Sequence, residues 1–237
     1  MKNSKKILCG LIASLFMFSC VSAVSAATPK KSLNVKSPRE VVTNKYVKIS
    51  SPTHKKVYYK GEKISVKATV KDPFGNGYTG VVSFLMGSKG QTLSDGSTKL
   101  FKGTYTYKTT LNTKKAPNGA NYVVVGIADA TDESGSSMEL ALTEIKVAAL
   151  KAPTKLKAKA GKRKVTLSFK KATGGKKYEI YRSTKKTKGY KKVKTTTSNK
   201  FTNKKLKKGK RYYYKVRTVR GSVKSSFTKP VRTPKVK

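Results

Sequence analysis

Alternation of apolar and polar residues with a period of two recurs along this chain, and that period fits sheets and not helices. Lys63 to Val70 (KISVKATV) places Ile64, Val66, Ala68 and Val70 on one face, and Lys164 to Phe169 (KVTLSF) does the same with Val165, Leu167 and Phe169. Thr154 to Ala160 alternates Leu156, Ala158 and Ala160 with Lys155, Lys157 and Lys159. Successive strand side chains point to opposite faces, so such runs bury one face each. No segment carries a sustained 3.6-residue apolar stripe, so helices are expected to be few and short. The predicted fold class is all-β, with two tandem β-sandwiches.

The first β-rich region spans 46–148. Its expected strands are Tyr46–Ser50, Val57–Tyr59, Lys63–Val70, Val81–Met86, Gly103–Leu111, Asn121–Ala130 and Met138–Val147. Gly103–Leu111 groups Tyr105, Tyr107, Thr109 and Leu111, and Asn121–Ala130 (NYVVVGIADA) reads as the central buried strand. In the last strand the apolar phase runs Met138, Leu140, Leu142 and then Ile145, Val147; that one-residue slip suggests a β-bulge. A linker, 149–153, contains Pro153 and leads to the second region, 154–237. There the expected strands are Thr154–Ala160, Lys164–Phe169, Lys177–Arg182, Tyr190–Thr195, Lys200–Asn203, Tyr212–Val219 and a final Val223–Arg232. Short strands divided by turn residues suggest sandwiches.

Upstream, residues 1–26 have the pattern of an export signal. Lys2, Lys5 and Lys6 form a basic start, Ile7 to Phe18 an apolar core, and Ser22 to Ala27 a run suited to cleavage after Ala26, with Ala23 and Ala27 as alternatives. The core is too short for the ~20 residues of a membrane span. Met17-Phe18-Ser19-Cys20 loosely resembles a lipobox, so lipidation of Cys20 is the other reading. Cys9 and Cys20 are the two cysteines. Without Cys20 the mature chain has no thiol and no disulfide framework. Residues 27–45 are polar and basic and read as a flexible leader. The expected location is secreted, extracellular or wall-associated, as a monomer with no membrane span after cleavage; Arg232 to Lys237 lacks the apolar tail of a sorting signal.

Charge separates the two regions. Residues 28–150 hold 19 basic and 9 acidic side chains, a net of +10. Residues 151–237 hold 33 basic and one acidic, Glu179, a net of +32. A small soluble domain ordinarily carries a net charge of magnitude about 2–8. Repulsion on this scale opposes compaction, and bound anions relieve it. Of the 33 cations 27 are Lys and 6 are Arg. Lysine is a hydrated point charge while arginine offers a bidentate fork, so the bias points to broad attraction toward a polyanion. The candidate polyanion-binding residues flank two loops: Lys185, Lys186, Lys188, Lys191 and Lys192, and Lys204, Lys205, Lys207, Lys208, Lys210 and Arg211. The bland alternative is a solvated lysine-rich face.

Two resemblances follow from motifs. Ile49-Ser50-Ser51-Pro52, Tyr59-Lys60-Gly61-Glu62 and Ala130-Thr131-Asp132-Glu133-Ser134-Gly135 resemble turn and core positions of bacterial Ig-like modules of extracellular proteins. The second region resembles a fibronectin type III domain over 151–237. Ala152-Pro153-Thr154-Lys155-Leu156 is similar to the opening strand, Tyr178 to Ser183 to the third strand, and Leu206 to Tyr212 to the tyrosine corner. The family's core Trp is replaced by Phe169, still a large apolar filler. The resemblance gives Phe169, Tyr178, Leu206 and Tyr212 structural roles. Arg220-Gly221-Ser222 stands where some members carry an integrin-binding tripeptide, but its Asp is missing and that function is not carried over.

Little points to catalysis, and no cofactor is expected. His54 is the one histidine, in a turn, and Cys/His zinc needs more ligands than the mature chain has. Asp129, Asp132 and Glu133 form the densest acidic group; an Asx-type turn competes there with a weak Ca²⁺ site, and three carboxylates fall short of the 6–8 oxygens Ca²⁺ takes. No Trp offers a sugar platform. Tyr190, Tyr213 and Phe227 are either exposed or packed across strands under lysines. The expected function is non-catalytic binding or structural work at the cell surface, attaching to anionic wall polymers such as teichoic acids or to acidic polysaccharides. The alternatives are binding of extracellular nucleic acid, and an accessory adhesion or spacer role beside other surface proteins in an extracellular enzyme complex.

Overall fold

A computed structural model describes residues 45–88, 90–132 and 137–237. The export signal, nearly all of the leader, both cysteines and Glu133 lie outside the described residues. The chain divides into two compact units between Ala148 and Ala149. Both are built from strands, and each is a sandwich of two sheets.

In the first unit, β1 (Val47–Ser51), β3 (Lys63–Lys71) and β7 (Thr104–Asn112) form a three-stranded antiparallel sheet. The other sheet has six strands in the order β2-β9-β8-β4-β5, with β6 also on β4. Its members are β2 (Lys56–Tyr59), β4 (Thr79–Gly87), β5 (Thr92–Asp95), β6 (Lys99–Phe101), β8 (Gly119–Asp129) and β9 (Met138–Ala148). β2 joins β9 in parallel and the other pairs are antiparallel. The alternation in β3 works as expected: Ile64, Val66, Ala68 and Val70 are buried. They meet Val81, Leu85, Val123, Val125, Ile127, Ala141, Ile145 and Val147 from the facing sheet. Tyr107 spans the gap, its hydroxyl bonding to Ser83 Oγ and the Ser97 carbonyl.

Two expectations are corrected here. β9 has no bulge against β8; its register is unbroken from Val147↔Gly119 to Met138↔Ala128. The apparent slip has another cause. Met138, Leu140 and Leu142 join one apolar cluster while Ala141, Ile145 and Val147 join the other, because the strand is apolar on both faces. β5 and β6 were not expected, since Thr92–Asp95 and Lys99–Phe101 are short and mostly polar.

In the second unit, β10 (Thr154–Gly161), β11 (Lys164–Lys170) and β14 (Lys200–Asn203) form one sheet. The other is ordered β13-β12-β15-β16, with β17 also on β15. It contains β12 (Lys177–Ser183), β13 (Lys191–Thr196), β15 (Tyr213–Arg220), β16 (Val223–Lys224) and β17 (Val231–Arg232). The single final strand expected over 223–232 is thus two short ones, interrupted ahead of Pro230, which has no amide hydrogen for a ladder. Val165, Leu167, Phe169, Tyr178, Ile180, Leu206, Tyr212, Tyr214, Val216 and Val236 make the core. Phe169 stands 4.9 Å from the Tyr178 ring, tilted by 60°, and so fills the centre.

Candidate functional site

The connections of the second unit place its basic residues. β10 runs from Thr154, opposite Lys170, to Gly161, opposite Lys164. The turn at Lys162 and Arg163 therefore lies at the end of the unit away from Thr154. β12 ends at Ser183, paired with Tyr213 at the start of β15. Hence the β12–β13 loop and the β14–β15 connection emerge side by side, and Arg182 stacks 5.1 Å from the Tyr212 ring between them.

Each loop is shaped by its own hydrogen bonds. In the β12–β13 loop, Ser183 Oγ accepts from the Lys185 amide at 2.9 Å and donates to the Lys188 carbonyl at 2.6 Å. The Tyr190 hydroxyl donates to the Lys186 carbonyl at 2.8 Å. These three bonds hold the loop, and Lys185, Lys186 and Lys188 on it are exposed. In the β14–β15 connection, Leu206 plugs the core and the Tyr212 hydroxyl accepts from the Lys207 amide at 3.3 Å. Gly209, at φ 75°, lets the chain reverse there.

Backbone bonds tie this connection to two further segments. The Leu206 amide donates to the Arg163 carbonyl at 3.0 Å, and the Arg163 amide to the Lys237 carbonyl at 2.7 Å. Gly209 donates to Val236 at 2.8 Å, and Val236 to Lys210 at 3.0 Å. One pole of the unit thus gathers three cations from the β10–β11 turn (Lys162, Arg163, Lys164) and three from the β12–β13 loop (Lys185, Lys186, Lys188). Six come from the β14–β15 connection (Lys204, Lys205, Lys207, Lys208, Lys210, Arg211) and two from the final segment (Lys235, Lys237). All are exposed. Lys191 sits at the first rung of β13, opposite Arg182. Lys192 lies one residue further along the sheet and reaches Glu179 at 3.4 Å. The two lysine groups expected from sequence are therefore brought together. Lys162, Arg163, Lys164, Lys235 and Lys237 were missed, because strand counting alone does not say which turns share an end.

No carboxylate side chain stands at this pole. Glu179, the one acid of residues 151–237, is in mid-β12, 6% exposed. It accepts from Arg217 Nε at 2.7 Å. Burial alone would raise its carboxyl, but the Arg217 hydrogen bond and charge, with Lys192, outweigh this and hold it below its ordinary value. Beside it stands a ladder of rings and cations. Lys215 lies 4.2 Å from the Tyr190 ring and 4.1 Å from Phe227; Arg217 lies 4.7 Å from Phe227 and 5.3 Å from Tyr181. Tyr190, Tyr213 and Phe227 are half-buried, and the faces of Tyr190 and Phe227 carry the protein's own cations.

In the first unit the carboxylates hold loops. Asp129 accepts from the Thr131 amide and hydroxyl and from Asn76, and Thr131's donors hold its carboxyl below the usual range despite some burial. Asp132 accepts from the Ser137 amide. Among the described residues no group of His, Cys, Asp or Glu could hold a metal ion, and no helix is long and apolar enough to cross a membrane.

No curated protein matches the chain. Among solved structures, an Fn3-like protein from Clostridium thermocellum is 28% identical, covering 38% of this chain and 99% of its own, with a TM-score of 0.35. FN3tt is 20% identical, covering 35% and 94%, at 0.32. Domains of titin are 15% identical, covering 83% and 68%, at 0.45. The family model that matches is that of the fibronectin type III domain, over residues 151–234, a family of generally non-catalytic binding or structural modules, and the basic pole is built on that match.

Proposed function

We propose that this is a secreted, non-catalytic cell-surface protein that attaches through the basic pole of its second unit to anionic wall polymers or acidic polysaccharides. The observation that carries the reading is the convergence of four cationic segments at one end of a unit whose single acid lies elsewhere and is already paired. Cations clustered within a Debye length of about 8–10 Å repel one another, and a polyanion threaded among them relieves all of them together. Lysine predominates at the pole, which suits a phosphodiester or uronate chain held by charge and not by defined bidentate contacts.

The test is adsorption of the mature protein to purified teichoic acid over a salt series. Each neutralised charge on a flexible polyanion contributes a slope of about −0.7 in log K against log salt. Release from walls by about 0.5–1 M salt, where the Debye length is about 3–4 Å, supports the reading. Retention at that salt overturns it and favours a lipid on Cys20.

Binding of extracellular nucleic acid is the rival. Single-strand binders add about 1–3 kcal/mol for each base stacked on an aromatic ring. Here Lys215 and Arg217 occupy the aromatic faces of the second unit's outer sheet, so no stacking gain is expected. Single-stranded DNA should bind no more tightly than polyphosphate of equal charge; a preference above about tenfold for DNA would favour the rival.

A further inference from the structure

An open sheet ends in strands whose outer backbone groups have no neighbour, and such edges pair with other chains unless something blunts them. Among the described residues most edges are blunted. β2, β5, β6, β14, β16 and β17 have four residues or fewer. β1, β10 and β13 are longer, but the register of each with its neighbour is broken by a shift. Lysines also line β10 (Lys155, Lys157, Lys159) and β13 (Lys191, Lys192, Lys194). β7 differs. Its nine residues, TYTYKTTLN, keep an unbroken register with β3 from Thr104↔Lys71 to Asn112↔Lys63. It has no Pro and a single Lys, and it is rich in the Thr and Tyr that favour strands.

The hydrogen bonds at its ends show which backbone groups face outward. The Asn112 amide donates to Ser94 Oγ at 3.1 Å, and the Lys71 amide to the Tyr46 carbonyl at 2.8 Å. Thr113 donates to the Glu62 carbonyl at 3.1 Å, and Asp72 to that of Gly103 at 2.8 Å. The even-numbered residues of β7 therefore occupy the non-hydrogen-bonded pairs of the ladder and turn their N–H and C=O groups away from β3. Among the described residues nothing bonds those groups on Thr104, Thr106, Lys108 and Thr110, and all four residues are exposed.

We propose that the β7 edge takes up an acidic, extended segment of a partner protein as an added antiparallel strand.

Charge selects this occupant. Lys108 lies directly opposite Lys67, with Lys63 and Lys71 on the same face of β3 and Lys48 on β1. Like charges directly opposite one another destabilise a strand pair. The other outward positions of these three strands are Ser, Thr or Asn, so the face holds no acid of its own. An added strand would lie about 5 Å from β7 and about 10 Å from β3, close to the Debye length at physiological salt. Residues of that strand bonded to the even-numbered positions share their face, so carboxylates at alternate positions meet the lysines. The residues between them turn to the side of Tyr105, which is half-buried and stacks on Phe101 at 5.7 Å. A second copy is the competing occupant. Pairing β7 with itself would join two lysine faces in chains of net +45 each, so the lysines that draw an acidic strand also repel another copy.

The test is hydrogen exchange at the Thr106, Lys108 and Thr110 amides of the mature full chain. The probe is a terminally blocked peptide of alternating Glu and Val, as long as β7. The expected result is exchange slowed about tenfold or more at saturating peptide. The same peptide methylated on its Glu nitrogens keeps its charge but loses the donors aimed at β7, and should give no protection; methylation on the Val nitrogens, which face away, should preserve it. Thr106→Pro removes one outward donor at an edge position and should weaken binding about fivefold or more. Lys67→Glu/Lys108→Glu should transfer the preference to a peptide of alternating Lys and Val. No slowing by the Glu peptide overturns the proposal, as does equal slowing by the two methylated peptides, which would mean attraction by charge alone. Protection in the free protein together with a dimer mass in light scattering would place a second copy on the edge and overturn it too. If a variant does not fold, the methylated peptides decide on the unaltered protein. These amides belong to the first unit, so the result is independent of the attachment proposed for the pole.

Discussion

At the residue scale, Tyr212 and Glu179 do different work in one domain. The Tyr212 ring fills the core beside Leu206, and its hydroxyl accepts from the Lys207 amide across the turn that carries the lysines. Tyr212→Phe keeps the ring and leaves one amide without that partner, so about 0.5–1.5 kcal/mol should be lost in denaturant unfolding. Leu206→Ala removes packing instead and should cost about 2–4 kcal/mol. Glu179 gives a pH signature. Its folded value lies below the ordinary 4.5, so the stabilisation is complete above that pH and disappears as pH falls through the lower folded value. Unfolding measured from pH 7 to pH 3 should show wild type converging on Glu179→Gln at the acid end, with a gap of about 1–3 kcal/mol at neutral pH. A gap that does not narrow on acidification would show that the Arg217 pair is not its source.

At the scale of elements, regularity in the sequence decided what was legible. Strands with one buried face, such as β3, β7 and β11, were visible because lysine, serine or threonine alternates with the buried apolar residues. β9 misled for the opposite reason: two apolar faces erase the period, and the residual pattern imitates a bulge. The lysine groups at the pole were legible as composition. Their convergence was not, since it depends on backbone bonds of Leu206, Val236 and Arg163 that join segments 26 to 74 residues apart. The turns hold one more clue. Among the described residues, the four non-glycine residues at positive φ are Lys55, Lys155, Arg163 and Lys205, and two of them stand at the pole. A left-handed residue with a Cβ costs about 1–2 kcal/mol, part of which glycine returns as chain entropy. Lys205→Gly and Arg163→Gly should therefore each stabilise the protein by about 0.5–1 kcal/mol, while polymer affinity falls. The glycine at 163 keeps both of its backbone bonds. Stabilisation without any loss of affinity would mean that these two cations serve nothing at the pole.

At the scale of the whole molecule, the question is whether attraction to a polyanion belongs to the pole or to net charge spread over both units. The first unit offers an internal control. Its three-stranded sheet turns Lys48, Lys63, Lys67, Lys71 and Lys108 to solvent, as exposed as the lysines of the pole. Replacing these five by Gln removes the same charge as replacing Lys204, Lys205, Lys207, Lys208 and Lys210. If net charge governs binding, the two quintuple variants weaken it equally. If the polymer lies in the pole, contacts are lost in one variant alone. Its salt slope should fall by about 3–4, at about 0.7 per contact, while the control changes by less than about 1. Both variants shed self-repulsion and neither touches a core side chain, so thermal unfolding should move upward if at all. That shared direction matters, because a weaker binder that is no less stable has lost its site and not its fold. Equal slopes for the two variants would return the charge of the second unit to an ordinary solvated surface.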